Sequence, residues 1–259
     1  MKKILGIIVF AATTLAGAKA QVAVTALNTA FSQNFDGMGS SGTASLPTGF
    51  GLNTTRNFST ATTVTTLAYG TTGTGVVNGT SSGGAINWAN GITATSTDRS
   101  LGFLTTGSFT SPRTIVYAFT NNTGSLITGL NLGWDYEKSR SGSRAFDWTF
   151  FHGATATAIN TAAISGDQSY AADANNTVVS NPPLSISESF SLTGLSIANS
   201  STYYLAWNLA GNGGSTNGQG LSIDNFSLIA VPEPSTYALL GLGLGALWFL
   251  RRKKPAAKA

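Results

Sequence analysis

The sequence predicts an all-β protein, an antiparallel β-sandwich of jelly-roll type, flanked by an N-terminal signal peptide and a C-terminal apolar helix. Three observations lead there. Apolar side chains through the middle of the chain recur at every second residue, the period of a strand and not of a helix. Clusters of Gly, Asn and Ser cut that pattern into short runs, as at 121–125 and 211–220. Only 9% of the 259 residues are charged, and the abundance of Thr, Ser and Gly suits pleated, half-buried surfaces.

Residues 1–20 read as a signal peptide. Lys2 and Lys3 precede an apolar run from Ile4 to Leu15 that is too short to span a bilayer, and Ala18-Lys19-Ala20 has the small-x-small form of a cleavage site. The expected cut, by signal peptidase after passage through the Sec translocon, falls between Ala20 and Gln21. Setting the ends aside changes the sign of the charge. The chain carries 14 Lys and Arg against 10 Asp and Glu, but three cations lie in the leader and five in the last nine residues. The body, 21–230, keeps six cations against nine acids, a formal charge of −3. A weakly acidic body has no electrostatic footprint for nucleic acid. The chain has no cysteine, so neither disulfide staples nor thiolate chemistry is available.

Within the body the strands can be placed in order. Ile115, Tyr117 and Phe119 alternate with other residues, and so do Tyr203, Leu205, Trp207 and Leu209. Leu184, Ile186, Phe190 and Leu192 share one face, interrupted only by Glu188, while Ser185, Ser187, Ser189 and Ser191 share the other. Residues 126–151 are expected to form a hairpin turning near Lys138–Gly142. In that register Trp134 pairs with Phe146 and Leu132 with Trp148, which puts the large apolar residues on one face and Asp135, Glu137 and Asp147 on the other. Trp134, Trp148 and Trp207 are then core residues. Residues 53–97, poorer in large apolar side chains, are expected to supply edge strands and long loops. In the last strand, Leu221 and Ile223 are in one phase and Phe226 and Leu228 in the other, so either a bulge at Asp224-Asn225 or a strand buried on both sides is expected. No second domain and no fixed repeat is visible.

The C-terminus, 231–259, reads Val231-Pro232-Glu233-Pro234-Ser235-Thr236, then an apolar run from Tyr237 to Leu250, then Arg251-Arg252-Lys253-Lys254. This resembles the PEP-CTERM sorting tail of Gram-negative bacteria. The resemblance implies recognition by an exosortase, a membrane cysteine protease, with cleavage near Pro232, Glu233 and Pro234 and delivery to the cell surface or exopolysaccharide matrix. The physics agrees: two prolines hold the tripeptide extended and accessible, and the basic cluster stays cytoplasmic. A helix of 14 residues spans about 21 Å against a hydrocarbon core of about 30 Å. Gly241, Gly243 and Gly245 weaken it further. Such a segment suits a transient inner-membrane stop.

For the body itself the chemistry is sparse. The only histidine is His152, and no Gly-x-Ser-x-Gly, His-Glu-x-x-His or P-loop occurs. Asp135 and Glu137, two apart on a strand, are the one pair of carboxylates a glycosidase would use, although alternating acids on a strand more often face solvent. Phe35-Asp36 and Ile223-Asp224-Asn225-Phe226 are loosely similar to the first and last strands of extracellular jelly-roll modules, including carbohydrate-binding ones. That similarity implies a structural Ca²⁺ held by Asp36, Asp224 and Asn225. Trp88, set among Asn87, Asn90 and Ala89, is the candidate aromatic platform for carbohydrate. The expectation is an exported, exosortase-processed surface or extracellular-matrix protein, not an enzyme, associated with exopolysaccharide or biofilm. A dedicated carbohydrate-binding module is the second reading and a polysaccharide hydrolase the third.

Overall fold

The computed structural model describes residues 19–39, 44–62, 64–65, 84–89, 97–105, 113–173, 179–214, 218–232, 244–245 and 247–248. In chain order the strands are β1 (Val22–Val24), β2 (Ala30–Gln33), β3 (Ala44–Ser45), β4 (Phe50–Asn53), β5 (Val64–Thr65), β6 (Gly84–Ala89), β7 (Arg99–Leu104) and β8 (Arg113–Asn121). They continue with β9 (Ile127–Arg140), β10 (Arg144–Gly153), β11 (Thr161–Ala162), β12 (Gln168–Tyr170), β13 (Val179–Leu192), β14 (Thr202–Gly214) and β15 (Gly220–Pro232). A 3-10 turn, Asp36–Met38, follows β2.

Two sheets hold almost all of these strands, as the alternating pattern predicts. In the first, β14 lies between β8 and β10, β1 and β4 lie end to end along the far side of β8, and β11 and β12 lie end to end along the far side of β10. The second runs β13-β9-β15-β7-β6, and β2 continues the line of β7 along β15. Among the described residues, the one parallel pairing is β1 on β8. A separate two-stranded ribbon joins β3 and β5. The second strand and the last therefore meet, with Phe226 opposite Gln33 and Ile229 opposite Ala30.

The inner faces meet in an aromatic core. Trp134 stands 5.3 Å from Trp207 and 4.7 Å from Phe150, and Phe50 stands 4.6 Å from Tyr117, measured between ring centroids. Trp134, Trp148 and Trp207 are all buried, as expected from their phase. Burying such rings removes 150–250 Å² of surface each, so they dominate the core. Along β13 the serines face solvent while Ile186, Phe190 and Leu192 pack against the core, but Leu184 is exposed where the strand passes its irregular stretch.

The expected hairpin is corrected. β9 pairs with β13 and β15, and β10 pairs with β14 and β12, so the turn at 141–143 carries the chain from one sheet to the other. Trp134 lies opposite Glu188 and Phe146 opposite Gly211. The two apolar faces do meet, but across the core: Trp134 against Phe150 and Tyr136 against Trp148. Alternation fixes which residues share a face. It does not say whether two such faces join edge to edge or face to face.

Trp88 is also corrected. Its ring has 0% exposure and packs with Ile86 and Leu104 on the outer side of the second sheet, over Gly220. A Cβ at Gly220 would come within 2.6 Å of the ring, so this glycine makes room for the indole. A ring so covered offers no platform to a sugar.

The leader to residue 18, Glu233, Pro234, the basic cluster and most of the apolar run lie outside the described residues, as do 66–83 and 90–96 within the expected edge-strand region. Leu244, Gly245, Leu247 and Trp248 are helical. Among the described residues no helix is long and apolar enough to cross a membrane.

Candidate functional site

β15 organises everything with chemical promise. At its middle the register against β9 steps from Asp224–Asp135 to Ser227–Gly133, one extra residue on β15. Of the two expected alternatives, the strand takes the bulge. Asn225 takes φ 49°, a left-handed conformation that asparagine tolerates better than most residues. The bulge resets the phase, so Leu221, Ile223, Phe226 and Leu228 are all fully buried.

On the outer side of the second sheet, next to the bulge, lies a buried polar cluster. Glu137 stands opposite Ser222, and the Ser100 hydroxyl donates to Ser222 Oγ at 2.8 Å. Glu137 is 3% exposed and Asp224 2%. Burial pushes the Glu137 carboxyl up to about 7, helped by the charges of Asp98 and Asp135 and opposed by hydrogen bonds from Ser100 and Ser222. Burial likewise pushes Asp224 up to about 8; the backbone amide of Asn225 pulls it down, while Glu137, Asp98 and Asp36 push it up. Water removed from a carboxylate is replaced by other acids, so the proton is retained. Glu137 Oε2 finds no hydrogen-bond partner among the described residues.

The three residues expected to hold calcium come to this part of the sheet, but their oxygens are turned to other tasks. Asp224 Oδ1 accepts from the Asn225 amide at 2.7 Å, and Asn225 Nδ2 donates to Asp135 Oδ2 at 2.8 Å. Asp36 Oδ1 accepts from the Arg99 amide at 2.9 Å, and its Oδ2 from Asn34 Nδ2 at 2.6 Å. Among the described residues no group of three or more His, Asp or Glu is arranged to hold a metal ion. Asp36 thus ties the 3-10 turn after β2 to β7. The expected carboxylate pair divides: Asp135 is half-buried and bonded to Asn225, and Glu137 is buried instead of facing solvent.

Elsewhere, His152 and Arg56 are engaged within the fold. His152 Nδ1 lies 2.6 Å from Tyr203 Oη, and burial lowers its pKa. A shallow recess of about 280 Å³ on the outer side of the first sheet is lined by Thr54, Thr55, Arg56, Thr157, Asn160 and Asn208. Its Arg56 guanidinium lies 4.0 Å from the centroid of the Phe151 ring and donates to Asn160 Oδ1 at 3.0 Å through Nη2. Nothing in the local sequence announced this recess, because its two walls are a hundred residues apart.

At the expected signal cleavage point Ala20 is exposed. Gln21 is held against the body, its Oε1 accepting from Thr120 and Thr202 hydroxyls at 2.6 and 2.9 Å. At the other end β15 runs into the tail without a linker. Ala230 is fully buried, Val231 pairs with Gly129, and Pro232, first residue of the triplet, pairs with Ile127.

Residues 230–254 match the model of the PEP-CTERM protein-sorting motif. The match begins inside the last strand of the sheet. The class of protein so defined is an exported chain targeted by exosortase to the cell surface. Comparison with curated proteins gives no match. Among solved structures, the K1 cleaved adhesin domain of Lys-gingipain from Porphyromonas gingivalis is similar at 11% identity and a TM-score of 0.44, over 78% of this chain and 98% of that one. A family 11 carbohydrate-binding module from Clostridium thermocellum is similar at 12% identity and a TM-score of 0.28, over 59% and 84%. At these scores the likeness decides nothing about this chain.

Proposed function

We infer that the protein is a non-enzymatic component of the surface or extracellular matrix of a Gram-negative bacterium, associated with exopolysaccharide or biofilm. The Sec translocon and signal peptidase export it. The apolar run halts it in the inner membrane with the basic cluster inside, and exosortase then releases the body. The observation that carries this reading is the sorting motif at 230–254, joined directly to a folded β-body. Support for a non-catalytic body comes from its acids and its base. Glu137 and Asp224 are shut away from substrate, and His152 is engaged by Tyr203.

Replacing Pro232, Glu233 and Pro234 together by alanine tests the reading. The body should fold unchanged and stay in the inner-membrane fraction at full precursor mass. Release to the surface at the wild-type level in that variant overturns it.

A further inference from the structure

Three loops and a strand end close the tip of the sandwich from which the tail departs. Pro232 stands opposite Ile127, the Asn28 amide donates to the Ala230 carbonyl at 2.8 Å, and the Asn122 amide to the Val24 carbonyl at 2.8 Å. The Asn121 amide donates to the Ser201 carbonyl at 2.9 Å, the Leu195 amide to the Thr128 carbonyl at 2.9 Å, and the Gly124 amide to Asn199 Oδ1 at 2.8 Å. These bonds tie the loops at 25–29, 122–126 and 193–201 into one surface beside Pro232. Most of its residues are exposed. None is charged. Residues 22–33, 119–134, 190–207 and 226–232 contain no Asp, Glu, Lys or Arg, although the body carries fifteen such residues. The opposite tip is different: Arg113, Lys138, Arg140 and Arg144 all sit at strand ends there, and Lys138 approaches Asp173 at 3.9 Å.

The tether adds a distance. Four residues separate Pro232 from Tyr237, where the apolar run begins. Five fully extended steps reach at most about 17 Å. The headgroup layer takes up about 5–8 Å of this on each side of the hydrocarbon. A folded body ending at Pro232 therefore cannot stand clear of the bilayer while the tail is inserted. Any charge on its near tip would lose hydration against the low-dielectric slab. An acid there would also be repelled by anionic headgroups within a Debye length of about 8 Å.

We propose that this uncharged tip is a membrane-docking surface: it rests on the phospholipid headgroups of the bilayer holding the tail, and it sets the body upright for processing. The proposal rests on the tail reading above.

The chain lacks cysteine, so single reporters can be introduced cleanly. Full-length precursor bearing Ser125→Cys or Ser196→Cys at the near tip, or Asn212→Cys at the far end of β14, is labelled with a fluorophore. It is then reconstituted in phosphatidylethanolamine–phosphatidylglycerol vesicles containing a headgroup nitroxide lipid. β15 spans about 40 Å at 3.3 Å per residue, so the far reporter lies well beyond short-range quenching. The expected result is at least twofold quenching at 125 and 196, none at 212, and loss of the near-tip quenching in protein ending at Pro232. Equal quenching at both tips, or none at the near tip of vesicle-bound precursor, overturns the proposal while leaving the sorting tail intact. Near-tip contact that requires added exosortase makes the protease the occupant and overturns the lipid assignment. Precursor that fails to float with the vesicles overturns the tail reading itself, and the docking surface with it.

Discussion

Glu137 and Asp224 illustrate what one buried carboxyl does to a β-sheet. Both hold their protons in the folded chain at pH values where the unfolded chain, with ordinary carboxyls near pH 4, has released them. Their contribution is thus full below about pH 4 and is lost as the pH rises through about 7 and about 8. Each unit of difference is worth about 1.4 kcal/mol, so the loss amounts to a few kcal/mol for each carboxyl. The groups around them sharpen it, since Asp36, Asp98 and Asp135 are all acidic. The melting temperature should fall between pH 6 and 8.5. Glu137→Gln, which keeps the shape without the ionisation, should become more stable than the wild type toward the alkaline end of that range. Parallel melting curves for the two proteins across the range would refute this. The sequence showed that Glu137 leaves the inner face of its strand, and no more. Whether an outer face is wet depends on what covers it, which alternation cannot report. The burial of Trp88 is legible in the sequence: Ile86 and Trp88 are in phase on β6, and that phase outweighs the polar character of their neighbours.

At the scale of the element, the bulge in β15 is the clearest agreement between sequence and structure. A change of phase within a nine-residue run can be buried on one side only if one residue is taken out of the ladder, and Asn225 is that residue. Deleting it should turn either Leu221 and Ile223 or Phe226 and Leu228 away from the core. Loss of two fully buried side chains of this size exceeds about 4 kcal/mol. The variant is expected to lose its cooperative melting transition, and a melting temperature within a few degrees of the wild type would disprove the account. The β9–β10 connection shows the opposite case. Alternation places Trp134, Trp148 and Phe150 on buried faces, as the structure has them, whereas the short turn at 141–143, expected to close a hairpin, is a corner between sheets. A short polar turn after a long strand serves both purposes, and the choice is made by distant partners: β13 and β15 on one side of the corner, β14 and β12 on the other.

For the whole molecule, the two ends of the chain are held very differently. Among the described residues near the N-terminus, the three residues of β1 and the Gln21 side chain bind the chain to β8 before it crosses to the other sheet. At the C-terminus β15 lies inside its sheet, bonded along one side to β9 and along the other to β7 and β2. A load entering through Pro232 acts along the strand axis, so the flanking hydrogen bonds bear it together in shear. Pulled from both ends in a single-molecule experiment, the protein should surrender β1 first, as a short initial extension, and keep β15 seated until the sandwich opens as a unit. An attachment made through the last strand is therefore the mechanically strong one: the body would part from whatever holds its front before it parts from whatever holds its back.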